Sequence, residues 1–159
     1  MELNEPMNFL WAGRDVTMRV IIATLVGMVL GIEREIRGFD AGLRTHGFVA
    51  LSAALTTITA LLLYYQLGGA DSRLDPLRVI EGMAAAIGII AAGLIIVRGD
   101  NVKNLTTAAH IWLTAALGIA AGAGLYPLVI LGAALAMLLL VVVGAAERFL
   151  PKKPYDDED

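Results

Sequence analysis

With 159 residues, 58% of them hydrophobic and only 17% charged, the chain has more apolar side chains than a soluble domain of this size can hide, and a mean hydropathy of +0.74 points to a small polytopic membrane protein. The absence of cysteine excludes a disulfide framework, a thiolate metal site and a cysteine nucleophile. The net charge of -3 comes nearly all from the tail Asp156 to Asp159, which argues against nucleic acid as a partner.

In chain order, residues 1–15 include Phe9, Leu10 and Trp11, an apolar patch too short to span, which reads as an interfacial segment or as a first helical turn continuous with the next apolar run. The first predicted span is Val16 to Ile32, with Arg19 near its start, placed to snorkel to the headgroups. No small-residue cleavage site follows it, so no cleavable signal is expected. A charged connector comes next: Glu33, Arg34, Glu35, Arg37, Asp40 and Arg44 fall within twelve residues. Span two runs from about Gly47 to Leu67 and stops at Gly68-Gly69; span three runs from about Val79 to Val97 and closes at Arg98-Gly99-Asp100-Asn101. Span four, about Leu105 to Tyr126, meets a tight corner before span five, Leu128 to Ala146. The runs have the length needed to cross a core of roughly 30 Å at about 1.5 Å per residue. The expected architecture is therefore an all-α bundle of five transmembrane spans, with a membrane domain over 16–148 and a disordered acidic tail over 149–159. A four-span arrangement with one re-entrant run is the alternative.

Basic residues choose the orientation. The two charged connectors and the C-terminus carry eight Lys and Arg, against four on the opposite face at Arg14, Arg19, Arg73 and Arg78. This bias places the N-terminus outside and the C-terminus in the cytoplasm.

An internal repeat links spans one and two to spans three and four. At a spacing of 62 residues, Leu43, Thr45, Leu51, Ser52, Ala53, Ala54 and Leu55 fall on Leu105, Thr107, Leu113, Thr114, Ala115, Ala116 and Leu117, while Arg37-Gly38 falls on Arg98-Gly99 at a spacing of 61. An even number of spans separates the copies, so they share an orientation and form a parallel repeat.

Chemistry in this sequence concentrates at the connectors. Glu33 and Arg37 are i, i+4 partners, and one reading is a solvated face of weak local pairs. The other is a cation-attracting mouth formed by Glu33, Glu35, Asp40 and Asp100, whose oxygen donors suit Mg²⁺. Thr45 and Thr106-Thr107 precede apolar runs as N-caps do. With Arg44 and Lys103 beside them, the same helix starts also suit a phosphate headgroup or nucleotide. Gly27-x-x-x-Gly31, Gly88-x-x-x-Ala92 and Gly118-x-x-x-Gly122 mark faces where helices approach closely, within one chain or between two copies; a homodimer is expected. His110 and Glu81 each lie about one turn inside a span, where wet structural roles compete with functional ones. No Ser/His/Asp set, H-E-x-x-H motif, P-loop or dinucleotide fingerprint is present, and an enzyme is not expected.

The ordered pattern Glu33, Arg34, Glu35, Arg37, Gly38, Gly42, Leu43, Arg44, Thr45, His46 closely resembles the signature of the MgtC/SapB family of bacterial inner-membrane proteins. A second block, with Gly88, Gly93, Arg98, Gly99, Leu105, Thr106, Thr107 and Trp112, resembles the same family, departing from it at Ala86, Ile89 and Ala91. The resemblance implies a short form without the C-terminal ACT-like domain of longer members. It further implies a bacterial inner-membrane protein tied to growth at low magnesium and to survival of pathogens in macrophages. Its partner would be another inner-membrane protein such as the ATP synthase. A small Mg²⁺ transporter or channel is the alternative function.

Overall fold

A computed structural model describes residues 9–67, 73, 75–98 and 101–146, with side chains at all of these except 9–12, 98, 101 and 145–146. Gly99, Asp100, the Gly68-Gly69 pair and the acidic tail lie outside the described residues. Among the described residues five helices follow one another: α1 (Phe9–Ile36), α2 (Leu43–Gln66), α3 (Leu77–Leu94), α4 (Leu105–Gly122) and α5 (Tyr126–Ala146). Each contains a segment long and apolar enough to cross a membrane. Between α3 and α4 stands a two-stranded antiparallel ribbon, β1 (Ile96–Arg98) and β2 (Asn101–Lys103). The all-α five-span bundle is thus the observed fold.

Several helix boundaries differ from the expected ones, most clearly those of α1 and α3. The first span is continuous from Phe9, the second of the two readings of that segment, and it runs past Ile32 to Ile36, so that Glu33, Arg34 and Glu35 lie in its last turn. Gly38, at φ +75°, sets that end: the amide of Gly38 reaches the Glu35 carbonyl at 3.1 Å and that of Phe39 reaches the Arg34 carbonyl at 3.0 Å. This pair of bonds is a Schellman stop, which needs a left-handed residue that glycine supplies without a Cβ penalty. The third span ends at Leu94, not Val97, because Ile95 turns extended and Ile96 and Val97 pair with Lys103 and Val102. β-Branched side chains are at ease in such a ribbon, so an apolar run that reads as helix is divided between two structures.

The core is built from small residues. A methyl group at Gly118 would come within 2.5 Å of the Ala50 carbonyl oxygen, and one at Gly122 within 2.7 Å of that of Ala54. On the other side of α2, a methyl at Gly27 would meet the His46 carbonyl oxygen at 2.5 Å, and one at Gly31 the Gly42 carbonyl oxygen at 2.8 Å. Backbones that close exclude both lipid and water, and their attraction is dispersion gained over a dry seam of Ala50, Ala53, Ala54 and Ala121. The expected stripe on α3 does not take part: a methyl added at Gly88 or Gly93 would meet nothing within 4 Å, and only Ile87 and Ala91 of that helix are buried.

Helix α4 is the hub, packing on α1, α2, α3 and α5. More than half of its spanning segment (56%) is buried, against 6% for α3. The two halves of the sequence repeat therefore share helix starts, at Leu43 and Leu105, but not surroundings. Thr45 is exposed and its counterpart Thr107 is buried; Gly27 is packed, whereas Gly88, which follows it at the same 61-residue spacing at which Arg98 follows Arg37, is open.

Candidate functional site

The Schellman stop on α1 has a consequence for charge. By folding the chain back at Gly38 it carries the Phe39 ring beneath the Arg34 guanidinium, whose central carbon lies 3.5 Å from the ring centroid. Arg34 is only 3% exposed, an unusual place for a cation. Its Nη2 donates to the Thr107 hydroxyl on α4, while its Nε is buried with no hydrogen-bond partner. Thr107 itself is 6% exposed, in the first turn of α4.

Just past the end of α1, Arg37 pairs with Glu33 and lies against α5, where a methyl at Gly144 would collide with Nη2 at 2.6 Å. Gly144 is what lets the guanidinium reach that position. Between α1, the start of α4 and the last turns of α5 a cavity of about 470 Å³ opens, with Glu33, Arg34, Arg37, Thr106, Thr107 and His110 on its polar side and Leu139, Leu140 and Val143 on its apolar side. Behind it is His46, fully buried, with Nδ1 2.8 Å from the Gly42 carbonyl. Since a carbonyl only accepts, Nδ1 carries the proton, and Nε2 is a buried acceptor without a partner. The His110 ring stands edge-on to it, with centroids 6.2 Å apart.

The expected capping residues are not caps. Helices α2 and α4 begin two residues before Thr45 and Thr107, and neither helix start receives a side-chain bond from its own N-cap residue. Instead, Glu35 reaches from α1 and its Oε2 accepts from the Leu43 amide at 2.9 Å. This is a favourable place for a carboxylate, at the positive end of a helix. The N-cap of α4 is Asn104, left-handed at φ 66°, whose side chain is turned away to donate to the Leu94 carbonyl at 3.1 Å. The start of α4 is left without a bond from that side chain.

Of the acids expected to form a cation mouth, Asp100 lies outside the described residues, and the other three have different places. Glu33 lines the large cavity, Glu35 caps α2, and Asp40 lines a second cavity of about 250 Å³ with Thr45, Leu94 and Asn104. Among the described residues no group of three or more His, Cys, Asp or Glu side chains is gathered. Arg44 is exposed on α2 and Lys103 is on the ribbon; neither lines the large cavity, whereas Arg34 and Arg37 do. Gly42 is buried under Glu35, and Trp112 lines an apolar groove between α3 and α4. The side chain of Arg98 falls outside the description. Sequence reasoning missed Phe39, Asn104 and Gly144. Phe39 alone left a signal, an aromatic residue straight after a glycine at a helix end.

At the opposite end of the bundle, Arg19 does not snorkel away from the protein. It pairs with Asp15 at 2.7 Å and donates through Nη1 to the Gly122 carbonyl at 2.9 Å. Gly124, at φ +77°, closes α4 there with the same two-bond stop seen at Gly38, the Leu125 amide meeting the Ala120 carbonyl at 2.9 Å.

Five membrane-length helices closed on an alanine-glycine seam, with an arginine-histidine cluster buried at one end, define a multi-pass integral membrane protein. The MgtC family profile matches residues 20–149, and the chain belongs to the MgtC family. It is 40% identical over 139 residues to YhiD of Escherichia coli K12, described as a candidate magnesium transporter, across 87% of this chain and 65% of that protein. It is 36% identical over 144 residues to SapB of Bacillus subtilis, across 86% of this chain and 57% of SapB. It is 39% identical over 126 residues to MgtC of Brucella abortus, across 79% of this chain and 48% of that MgtC. The chain thus spans about half to two thirds of the length of these relatives. No solved structure matches the chain at a significant level.

Proposed function

We propose that this chain is a non-enzymatic inner-membrane protein that modulates magnesium and membrane-energy homeostasis during adaptation to low Mg²⁺ by binding another membrane protein. It acts as a homodimer with its N-terminus outside and its C-terminus in the cytoplasm. The observation that carries the reading is the dry seam: backbone contacts at Gly118 and Gly122 fill the space between the two helix pairs where a conduction path would run. Helix α3, by contrast, turns most of its apolar surface outward, as a lateral contact face does. The names of MgtC and of the YhiD relative support the link to magnesium.

The second reading, a small cation transporter, draws on Glu33. Its Oε2 is buried beside a cavity without a hydrogen-bond partner, and an acid in that setting suits a stop on an ion's route. Purified protein in sealed liposomes separates the two. The regulatory reading expects no Mg²⁺ flux under a magnesium gradient, together with recovery of a membrane-protein partner after crosslinking in cells. A Mg²⁺ flux lost in Glu33→Gln overturns it.

A further inference from the structure

We propose that the cavity between α1, α4 and α5 is a phosphate-binding site whose occupant is the headgroup of an anionic phospholipid. Such a site depends neither on the regulatory reading nor on the direction in which the chain crosses the bilayer.

An electrostatic misfit marks the cavity. Arg34 is 3% exposed, faces no carboxylate within ion-pair distance among the described residues, and is held only by a neutral hydroxyl and an aromatic ring. Neither partner neutralises its charge. The one carboxylate on this lining, Glu33, acts on both arginines but is paired with Arg37, so the three side chains leave the cavity with one net positive charge. Arg34 also points into the start of α4, where the helix dipole is positive and repels a cation. The first turn of α4 receives no side-chain bond from its N-cap, and Asn104, Leu105, Thr106 and Thr107 all line the same cavity. A buried guanidinium with an unpartnered Nε, the start of α4 and the Thr106 hydroxyl together present several donors, while the Glu33 carboxylate, paired with Arg37, leaves Oε2 as an unpartnered acceptor on the same lining. A phosphate oxygen meets all three demands at once, since guanidinium and helix N-terminus both favour it.

The source of the phosphate is indicated by the other wall. Leu139, Leu140 and Val143 of α5 line the cavity, and Leu139 and Val143 are also open to the surroundings of the bundle. A free anion gains nothing from that apolar side, whereas a lipid places its acyl chains there while its phosphate reaches Arg34. Arg37, the more exposed member of its pair with Glu33, lines the same cavity and adds a second guanidinium for the headgroup.

The test uses the full chain purified in a neutral maltoside detergent, followed by thermal unfolding and native mass spectrometry. Phosphatidylglycerol, phosphatidylcholine and inorganic phosphate are added separately. Phosphatidylglycerol is expected to stay bound and raise the unfolding temperature, with about tenfold weaker binding in Arg34→Gln and in Thr106→Val, charge-assisted bonds being the strong ones. Arg44→Gln, outside the cavity, is expected to bind as the wild type does. Should Arg34→Gln fail to fold, Thr106→Val and Arg37→Gln carry the comparison, as both change the cavity lining. Inorganic phosphate binding with the same sensitivity, without phosphatidylglycerol binding, overturns the lipid source and retains the phosphate site. Binding of either anion that is indifferent to all these variants, or no binding, overturns the proposal.

Discussion

Arg19, in the first half of α1, donates to the carbonyl of Gly122 at 2.9 Å, so that a guanidinium in the first helix terminates the fourth. A cation at the negative end of a helix in a partly buried setting contributes on the order of 1–2 kcal/mol. Arg19→Gln is therefore expected to lower stability by about that amount. Asp15→Asn, which removes only the half-exposed partner, is expected to cost well under about 1 kcal/mol. Chemical unfolding in mixed micelles checks the order of the two; equal losses would mean that the ion pair, and not the helix end, is what Arg19 serves.

The seam predicts a contrast between glycines. Gly118→Ala places a methyl 2.5 Å from the Ala50 carbonyl oxygen, so the helices must move apart at a cost of roughly 1–3 kcal/mol. Gly88→Ala meets nothing within 4 Å and removes a flexible residue from a helix, so it is expected to be neutral or stabilising by up to about 1 kcal/mol. Unfolding temperatures of the two variants, measured side by side, decide it.

Thr107 and Thr106 are neighbours with different duties. Thr107→Val takes away the acceptor of the buried Arg34 Nη2 and is expected to destabilise by about 2–3 kcal/mol. Thr106→Val breaks no hydrogen bond among the described residues and is expected to stay within about 0.5 kcal/mol of the wild type. Denaturation curves showing equal losses would mean that the Arg34 bond to Thr107 adds nothing to stability.

Glu35 is expected to act as a cap. Glu35→Ala frees the Leu43 amide and should cost about 1 kcal/mol, with faster hydrogen exchange confined to the first turn of α2. Glu35→Gln keeps an acceptor oxygen and should lose less than half of that. Uniform exchange across α2 in Glu35→Ala would argue against a local cap.

Orientation has its own test, made simple because the chain has no cysteine. With the N-terminus outside, Arg44→Cys reacts with a membrane-impermeant maleimide only after cells are opened, while Arg73→Cys reacts in intact cells. The reverse pattern inverts the topology.

Much of the bundle is legible in the sequence, since apolar run length reports spans directly and the close contacts at Gly27, Gly31, Gly118 and Gly122 follow their i, i+4 spacing. The burial of Arg34 is not. Local spacing offers only the Glu33–Arg37 pair, and nothing along the chain tells that α4, 73 residues later, brings Thr107 over the neighbouring arginine. Gly88 misleads for the converse reason: a small-residue stripe shows that a close approach is permitted, not that a neighbour makes it. Ile95 to Val97 reads as membrane helix because a β-branched run suits a span and a ribbon equally, and the ribbon's second strand decides.

The hub position of α4 sets an order of events during synthesis. The hairpin of α1 and α2 emerges first, and Arg34 and His46 wait for Thr107 and His110 of α4 until more than half the chain has been made. Maturation is then a late snap, in which the arriving fourth helix shelters two polar side chains that its predecessors exposed.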